Sequence, residues 1–160
     1  GCGGGTDETR LLAERFELTG VDLSLAQLER ARARVPEARF VHADLVELDL
    51  EPASLDAVAA FYVLNHVPRE HLVGLFARIH RWLRADGLLL TTLGASDLPG
   101  WTGEWLGAPT YFSGFAPEEN RRLLATAGFE TIRDELVTIR EPEAEATFQW
   151  ILARRLDGSS

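Results

Sequence analysis

Gly1-Cys2-Gly3-Gly4-Gly5, running straight into Thr6-Asp7, is the stretch from which the chain is best read. Glycines lack a Cβ, so they enter the left-handed backbone region without strain and let a ligand lie against bare backbone. Thr6 or Asp7 can then cap a helix whose Leu11, Leu12 and Phe16 fall on one side. The next segment, Leu18 to Asp22, has the composition of a short strand. It ends where Ser24 and Gln27 form a capping box and where Leu23 and Leu28 stand at the two staple positions. The helix that follows carries Leu25, Leu28 and Ala31 inward and stops at Pro36.

The alternation then continues. Ala38 to His42 reads as a strand closed by Asp44, and Glu47 to Ser54 as an acidic loop. Leu55 to Tyr62 is a nearly continuous apolar run, the pattern of a central strand covered on both faces. Pro68 opens a helix with Leu72, Leu75, Phe76, Ile79, Trp82 and Leu83 at spacings of three and four, ending at Gly87. Leu88 to Leu93 is a further buried strand, Gly94 to Phe115 a long turn-rich loop, and Pro117 to Gly128 a helix. Phe129 to Ile139 and Thr147 to Arg155 are strands whose seven-residue connection, Arg140 to Ala146, is too short for a crossover helix, so they pair antiparallel. The expected fold is an α/β, Rossmann-like three-layer sandwich with a mainly parallel sheet and a C-terminal antiparallel hairpin.

Composition narrows the function. The 160 residues carry a formal charge of -9, and all 16 basic residues are Arg, in no basic block, which argues against nucleic acid and for a small-molecule partner. The longest apolar runs are far too short to cross a bilayer and no secretory leader is visible, so the expectation is a cytoplasmic location without membrane attachment. Cys2 is the one cysteine and has no neighbouring metal ligand; it reads as a small residue in a tight turn, and no metal is expected. In α/β sheets ligands bind beyond the carboxyl ends of the strands, which singles out Asp22, Asp44, Phe61 to His66 and the loop after Leu93.

Four pieces, Gly1-Cys2-Gly3-Gly4-Gly5, Gly20-Val21-Asp22-Leu23-Ser24, His42-Ala43-Asp44-Leu45 and Leu83-Arg84-Ala85-Asp86-Gly87-Leu88, make the chain resemble a class I S-adenosylmethionine-dependent methyltransferase over essentially its whole length. The resemblance implies that Gly1, Gly3 and Gly5 pass under the methionine and ribose portion of the cofactor. It likewise implies that Asp22, with Leu23 beside it, holds the ribose hydroxyls, and that Asp44 accepts from the adenine amino group with Leu45 near the ring. Phe61 joins this cofactor set. Ionised carboxylates suit those donors. A nicotinamide-dependent oxidoreductase is the alternative enzyme, although its Gly-x-Gly-x-x-Gly pattern meets Thr6 at the sixth position. A catalytically silent cofactor-binding or scaffold domain is the third reading.

The implied reaction is in-line methyl transfer to a small organic acceptor, in which the protein chiefly aligns the nucleophile. A general base is needed only where the acceptor loses a proton, and His66 and Tyr62 are the candidates. His66 also reads as a structural contact before the next helix. Trp101, Trp105, Tyr111 and Phe112 are the candidate acceptor-binding residues, in a loop long enough to act as a lid, and their other reading is core packing. In the family the glycine turn follows a central first strand and an acidic residue, and neither stands in this sequence. The expectation is therefore one methyltransferase-like domain, 1–156, truncated before that strand, with a tail at 157–160. Oligomeric state is not legible.

Overall fold

A computed structural model describes residues 1–105, 107–140 and 145–157. The chain divides into two compact units, Gly1–Leu48 and Asp49–Ser160.

The first unit follows the order helix, strand, helix, strand: α1 (Asp7–Ala13), β1 (Thr19–Asp22), α2 (Leu25–Arg34) and β2 (Arg39–His42). Thr6 caps α1 in a reciprocal box with Thr9. Ser24 caps α2, its Oγ accepting from the Gln27 N–H. β1 and β2 pair in parallel, Asp22 opposite His42, so both strands end at one edge. Leu28, Ala31, Val35 and Phe40 form the core, with Cys2, Ala13 and Ala38 packed against it. Gly20 is required here, because a Cβ would come within 2.8 Å of the Phe40 ring and 2.9 Å of Cys2 Sγ. Three expectations fail in this unit. Leu11 and Phe16 are exposed rather than inward; Leu25 is exposed beside the buried Leu28; and Leu23 is also exposed, so the staple to Leu28 does not form. Periodicity locates a helix face, but these side chains meet no packing surface.

The second unit is built on a four-stranded sheet ordered β3-β4-β8-β7, comprising β3 (Leu55–Ala60), β4 (Leu83–Gly94), β8 (Glu145–Arg155) and β7 (Phe129–Arg140). β3 and β4 are parallel, while β8 runs antiparallel to both β4 and β7. The terminal hairpin is thus as expected, residues 141–144 of its connection lying outside the described residues. β3 departs from expectation: among the described residues it pairs with β4 alone, and Asp56, Ala57 and Ala59 are exposed. A run of small apolar residues records hydrophobicity, and alanines tolerate an edge.

α3 (Arg69–Trp82) buries Leu72, Leu75, Phe76, Ile79 and Trp82, the stripe its spacing predicts. Trp82 donates its indole N–H to Asp49, and this bond is the main reason that carboxyl lies below the usual carboxylate range. The helix ends at Trp82, earlier than Gly87: Leu83 already pairs with Leu55 in the sheet, and Asp86 takes the left-handed conformation. α4 (Pro117–Thr126) has Pro117 in its first turn and is followed by Gly128 at φ +89°.

One face of the sheet carries the buried Leu89, Thr91, Leu93, Gln149, Ile151 and Ala153. On it lies a polar network. Asn120 Nδ2 of α4 donates to Gln149 Oε1 at 2.9 Å and to the Gly94 carbonyl at 3.0 Å, and Gln149 Nε2 donates to Asp134 at 2.9 Å. Asp134 also accepts from Arg121 at 2.5 Å. Asn120 and Gln149 are both fully buried, so each bond made avoids the cost of an orphaned polar group.

The segment read as a loop between β4 and α4 is a separate antiparallel ribbon, β5 (Leu98–Trp105) and β6 (Ala108–Gly114), with Gly107 at φ +77° in its turn. Aromatic side chains favour such a ribbon by pairing across the strands, and Trp101 faces Phe112 in register. Asn120→Ala is expected to lower stability by about 1–3 kcal/mol, because it strands the buried Gln149 amide oxygen. Urea unfolding with an unchanged slope would measure it.

Candidate functional site

In the first unit the glycine turn and the strand ends are tied together by one carboxylate. Gly3 N–H donates to Asp22 Oδ2 at 2.8 Å and Ser24 N–H donates to Asp22 Oδ1 at 2.9 Å. Each oxygen keeps a second lone pair, so the group can still accept from a diol. Gly3 and Gly5 occupy the left-handed region at φ +60° and +72°. Their surroundings differ. A Cβ on Gly3 would meet nothing within 4 Å, whereas one on Gly5 would stand 3.0 Å from Ala31 Cα. The turn is therefore pressed against α2 at Gly5 and open at Gly3, a backbone cradle over which a ligand can lie. Gly1 joins the same edge, since the Gly1 and Cys2 nitrogens both donate to the Val21 carbonyl. Burial pushes the Cys2 thiol above its ordinary value, consistent with packing rather than reactivity.

Asp44 lies two residues past β2, exposed at the same edge. Its Oδ1 accepts from the Val46 N–H at 2.8 Å, and its main-chain carbonyl accepts from the Leu48 N–H at 2.8 Å, so Leu45 sits in a tight turn. Its other carboxylate oxygen has no partner among the described residues. Leu23 has an exposed side chain, and its carbonyl accepts from His42 Nε2 at 2.9 Å. His42, the last residue of the strand read in the sequence, is thus the cross-tie between the ends of β1 and β2. Only the pairing of the two strands brings it to Leu23, so no local pattern announces it. Of the residues expected at the cofactor, Gly1, Gly3, Gly5, Asp22, Leu23, Asp44 and Leu45 belong to this unit, and Phe61 belongs to the second.

In the second unit Phe61 and Tyr62 follow β3, both exposed in part. Tyr62 sits at φ +54°, where a bulky residue is strained, and is held there by its N–H donating to the buried Thr92 Oγ1 at 2.6 Å. The Tyr62 ring meets Phe148 edge-on at 4.9 Å, and Phe61 lies 5.3 Å from Trp150. Phe148 and Trp150 belong to this aromatic group although the sequence shows them only as alternating strand residues. His66 ends a 3₁₀ turn, Leu64–His66. Its Nδ1 lies 2.9 Å from the Tyr111 carbonyl and its ring 4.9 Å from Phe112. Phe112 in turn stacks on Trp101 at 5.9 Å and meets Trp105 edge-on at 5.8 Å. The structure thus gathers His66, Trp101, Trp105, Tyr111 and Phe112 into one cluster on the β5–β6 ribbon, with Phe61 and Tyr62 in a second around Trp150.

An open cleft of about 600 Å³ also lies on this unit, lined by Arg69, Val73, Asp97, Phe115 and Glu119 among others. None of the aromatic candidates lines it. Arg69 is occupied there by Asp97 at 2.5 Å and by the face of Phe115 at 4.0 Å. Among the described residues no cluster of His, Cys, Asp and Glu could hold a metal, and no helix is long and apolar enough to cross a membrane.

Residues 1–87 match the family described as "Methyltransferase domain". Over 92 residues the chain is 40% identical to a trans-aconitate 2-methyltransferase of Enterobacter sp. (strain 638), the match covering 56% of this chain and 35% of that protein. The chain spans about a third of the length of such curated relatives. Among solved structures it resembles a SAM-dependent methyltransferase of Methanosarcina mazei, with TM-score 0.82, 17% identity and coverage of 98% of this chain and 90% of that one. It also resembles a 1,6-didemethyltoxoflavin-N1-methyltransferase of Burkholderia thailandensis, solved with 1,6-didemethyltoxoflavin and S-adenosylhomocysteine bound. There the TM-score is 0.74 and the identity 27%, covering 98% of this chain and 69% of that one. The fold is accordingly the Rossmann-like α/β fold expected. Gly5→Ala should cost about 2–4 kcal/mol, since left-handed strain adds to crowding against Ala31, and Gly3→Ala only about 1–2 kcal/mol from strain alone. Chemical denaturation of the two variants side by side measures the difference.

Proposed function

The chain belongs to the methyltransferase-domain family, and on that premise we propose that it serves S-adenosylmethionine-dependent methyl transfer to a small organic acceptor. The observation that carries this reading is the Asp22 carboxylate, which closes the open glycine turn through Gly3 and keeps a lone pair on each oxygen for a ribose diol. Gly1, Gly3 and Gly5 would run beneath the methionine and ribose portion. Asp44, with one oxygen unpaired among the described residues, would accept from the adenine amino group, and Leu23 and Leu45 would flank the base and sugar. When bound, S-adenosylmethionine supplies a methyl carbon activated by its sulfonium. The protein's own task is then to hold that group still, exclude water and align the nucleophile, effects worth roughly 7–11 kcal/mol in favourable cases.

Acceptor binding falls in this reading to the aromatic residues of the ribbon, Trp101, Trp105, Tyr111 and Phe112, with Tyr62 and His66 the candidate bases and Phe61 counted with the cofactor set. Aromatic walls suit a small organic molecule. The relatives suggest two kinds of small organic acceptor, trans-aconitate and, at its N1, 1,6-didemethyltoxoflavin.

Titration calorimetry with S-adenosylhomocysteine tests the cofactor site. Asp22→Ala is expected to weaken binding by roughly 1.5–3 kcal/mol, the range for hydrogen bonds to a charged group. Unchanged affinity, or preferential binding of a nicotinamide dinucleotide, would refute the assignment.

A further inference from the structure

The peptide between Leu23 and Ser24 is held at both of its ends. Its carbonyl lies 2.9 Å from His42 Nε2, and its N–H donates to Asp22 Oδ1 at 2.9 Å. A carbonyl can only accept, so Nε2 carries a proton, as it does in one neutral tautomer and in the imidazolium. The second Asp22 oxygen, Oδ2, accepts from the Gly3 N–H at 2.8 Å. An unbroken chain of hydrogen bonds thus runs from the His42 ring through one peptide and one carboxylate to the glycine turn. Strand pairing puts its first member in place: His42 stands opposite Asp22 in the parallel register, and the Ala43 N–H donates to the Asp22 main-chain carbonyl at 3.2 Å.

A planar peptide moves as a unit, so a donor that fixes its carbonyl also fixes the direction of its N–H. At Leu23 this matters, because the side chain is 65% exposed and cannot anchor the peptide by packing. On the other side Ser24 is tied into α2 by its Oγ and its carbonyl, which accept from the Gln27 and Leu28 N–H groups. His42 adds a tie from a different strand. Its bond also polarises the peptide, since successive hydrogen bonds strengthen one another, and makes the Ser24 N–H a better donor to the carboxylate. With Oδ1 held by Ser24 and Oδ2 by Gly3, the plane of the Asp22 carboxylate is set, and with it the direction of the lone pairs left over. We propose that His42 is a positioning residue for Asp22, acting through the Leu23–Ser24 peptide to aim the carboxylate at the ribose diol of the cofactor. Every member of this relay lies within Gly1–Leu48. The diol as target rests on the methyl-transfer reading; the relay itself does not.

Two variants that differ chiefly in the donor test it. His42 is exposed, so neither His42→Gln, whose amide can replace Nε2–H, nor the nearly isosteric His42→Met, which has no donor, empties the core. In ¹H–¹⁵N spectra of the full chain without cofactor, the Ser24 and Gly3 amide protons of His42→Met should lie upfield of those of His42→Gln, as weaker hydrogen bonds require. Both variants lack the ring, so its ring current drops out of the comparison. Coincident amide positions in the two would overturn the proposal whether or not cofactor binds. Titration calorimetry gives the second readout. His42→Met should bind S-adenosylhomocysteine about two- to tenfold more weakly than the wild type, the range for one hydrogen bond, and His42→Gln should stay within about twofold of it. Added to Asp22→Ala, His42→Met should cost no further affinity, because a residue acting through Asp22 then has nothing left to position. An equal loss in both backgrounds, or wild-type affinity in His42→Met, would also overturn the proposal. Failure of the wild-type chain to bind S-adenosylhomocysteine would instead remove the methyl-transfer reading and the diol with it, while the amide positions still decide whether His42 orients Asp22.

Discussion

The two backbone N–H bonds accepted by Asp22 are the constraint on which the first unit depends. One side chain ends β1, closes the glycine turn through Gly3 and sets the entry to α2 through Ser24. Without it two amides would need other partners, water for the exposed Ser24 amide and none so readily for the partly buried Gly3 amide. Because both bonds are charge-assisted, they are stronger than neutral ones. They also leave ligand-binding capacity unspent, so a diol could bind without breaking either tie. Gly20 and Gly5 complete the arrangement, Gly20 by admitting Phe40 and Cys2 where a Cβ would clash, and Gly5 by taking a left-handed turn in close contact with Ala31.

Much of this frame is legible in the sequence, because it is specified locally. The capping Ser24, the stripe from Leu72 to Trp82, Pro117 at the start of α4 and the terminal hairpin each rest on residues within a few positions of one another. The same holds for Asp22 and Asp44, placed by being the acidic residues at consecutive strand ends. What escapes is whatever depends on packing between distant segments. Leu11, Phe16, Leu23 and Leu25 have the right spacing for an inner face and are exposed. β3 has the apolar continuity of a central strand, yet its alanines and Asp56 stand open beside a single neighbour.

The aromatic residues of the second unit show the same division more sharply. Trp101, Trp105, Tyr111 and Phe112 are conspicuous by type, and the turn residues around them suggest a loop. Cross-strand pairing of Trp101 with Phe112 makes them a ribbon instead, with Gly107 as its turn. Phe148 and Trp150, more than 80 residues from Tyr62, reach it only because β8 pairs with β4. Likewise the left-handed backbone of Tyr62 depends on Thr92, a residue of the neighbouring strand. No window of sequence contains these pairs.

The functional candidates share one feature that explains why so ordinary a frame can hold reactive groups still. Asp22 and Asp44 are oriented by main-chain N–H groups, and His66 by a main-chain carbonyl. Main-chain partners are placed by the fold itself and carry no side-chain rotamers to freeze, so little orientation entropy remains to be lost when a ligand arrives. Fixed dipoles of this kind stabilise charge without reorganising at the moment of reaction. They are also insensitive to substitution of the residues that supply them. Trp101, Trp105 and Tyr111 could therefore change in size and polarity while the carbonyl that orients His66 stays in place. On this argument the polar groups are set by backbone geometry, and the aromatic side chains around His66 are free to vary without disturbing it.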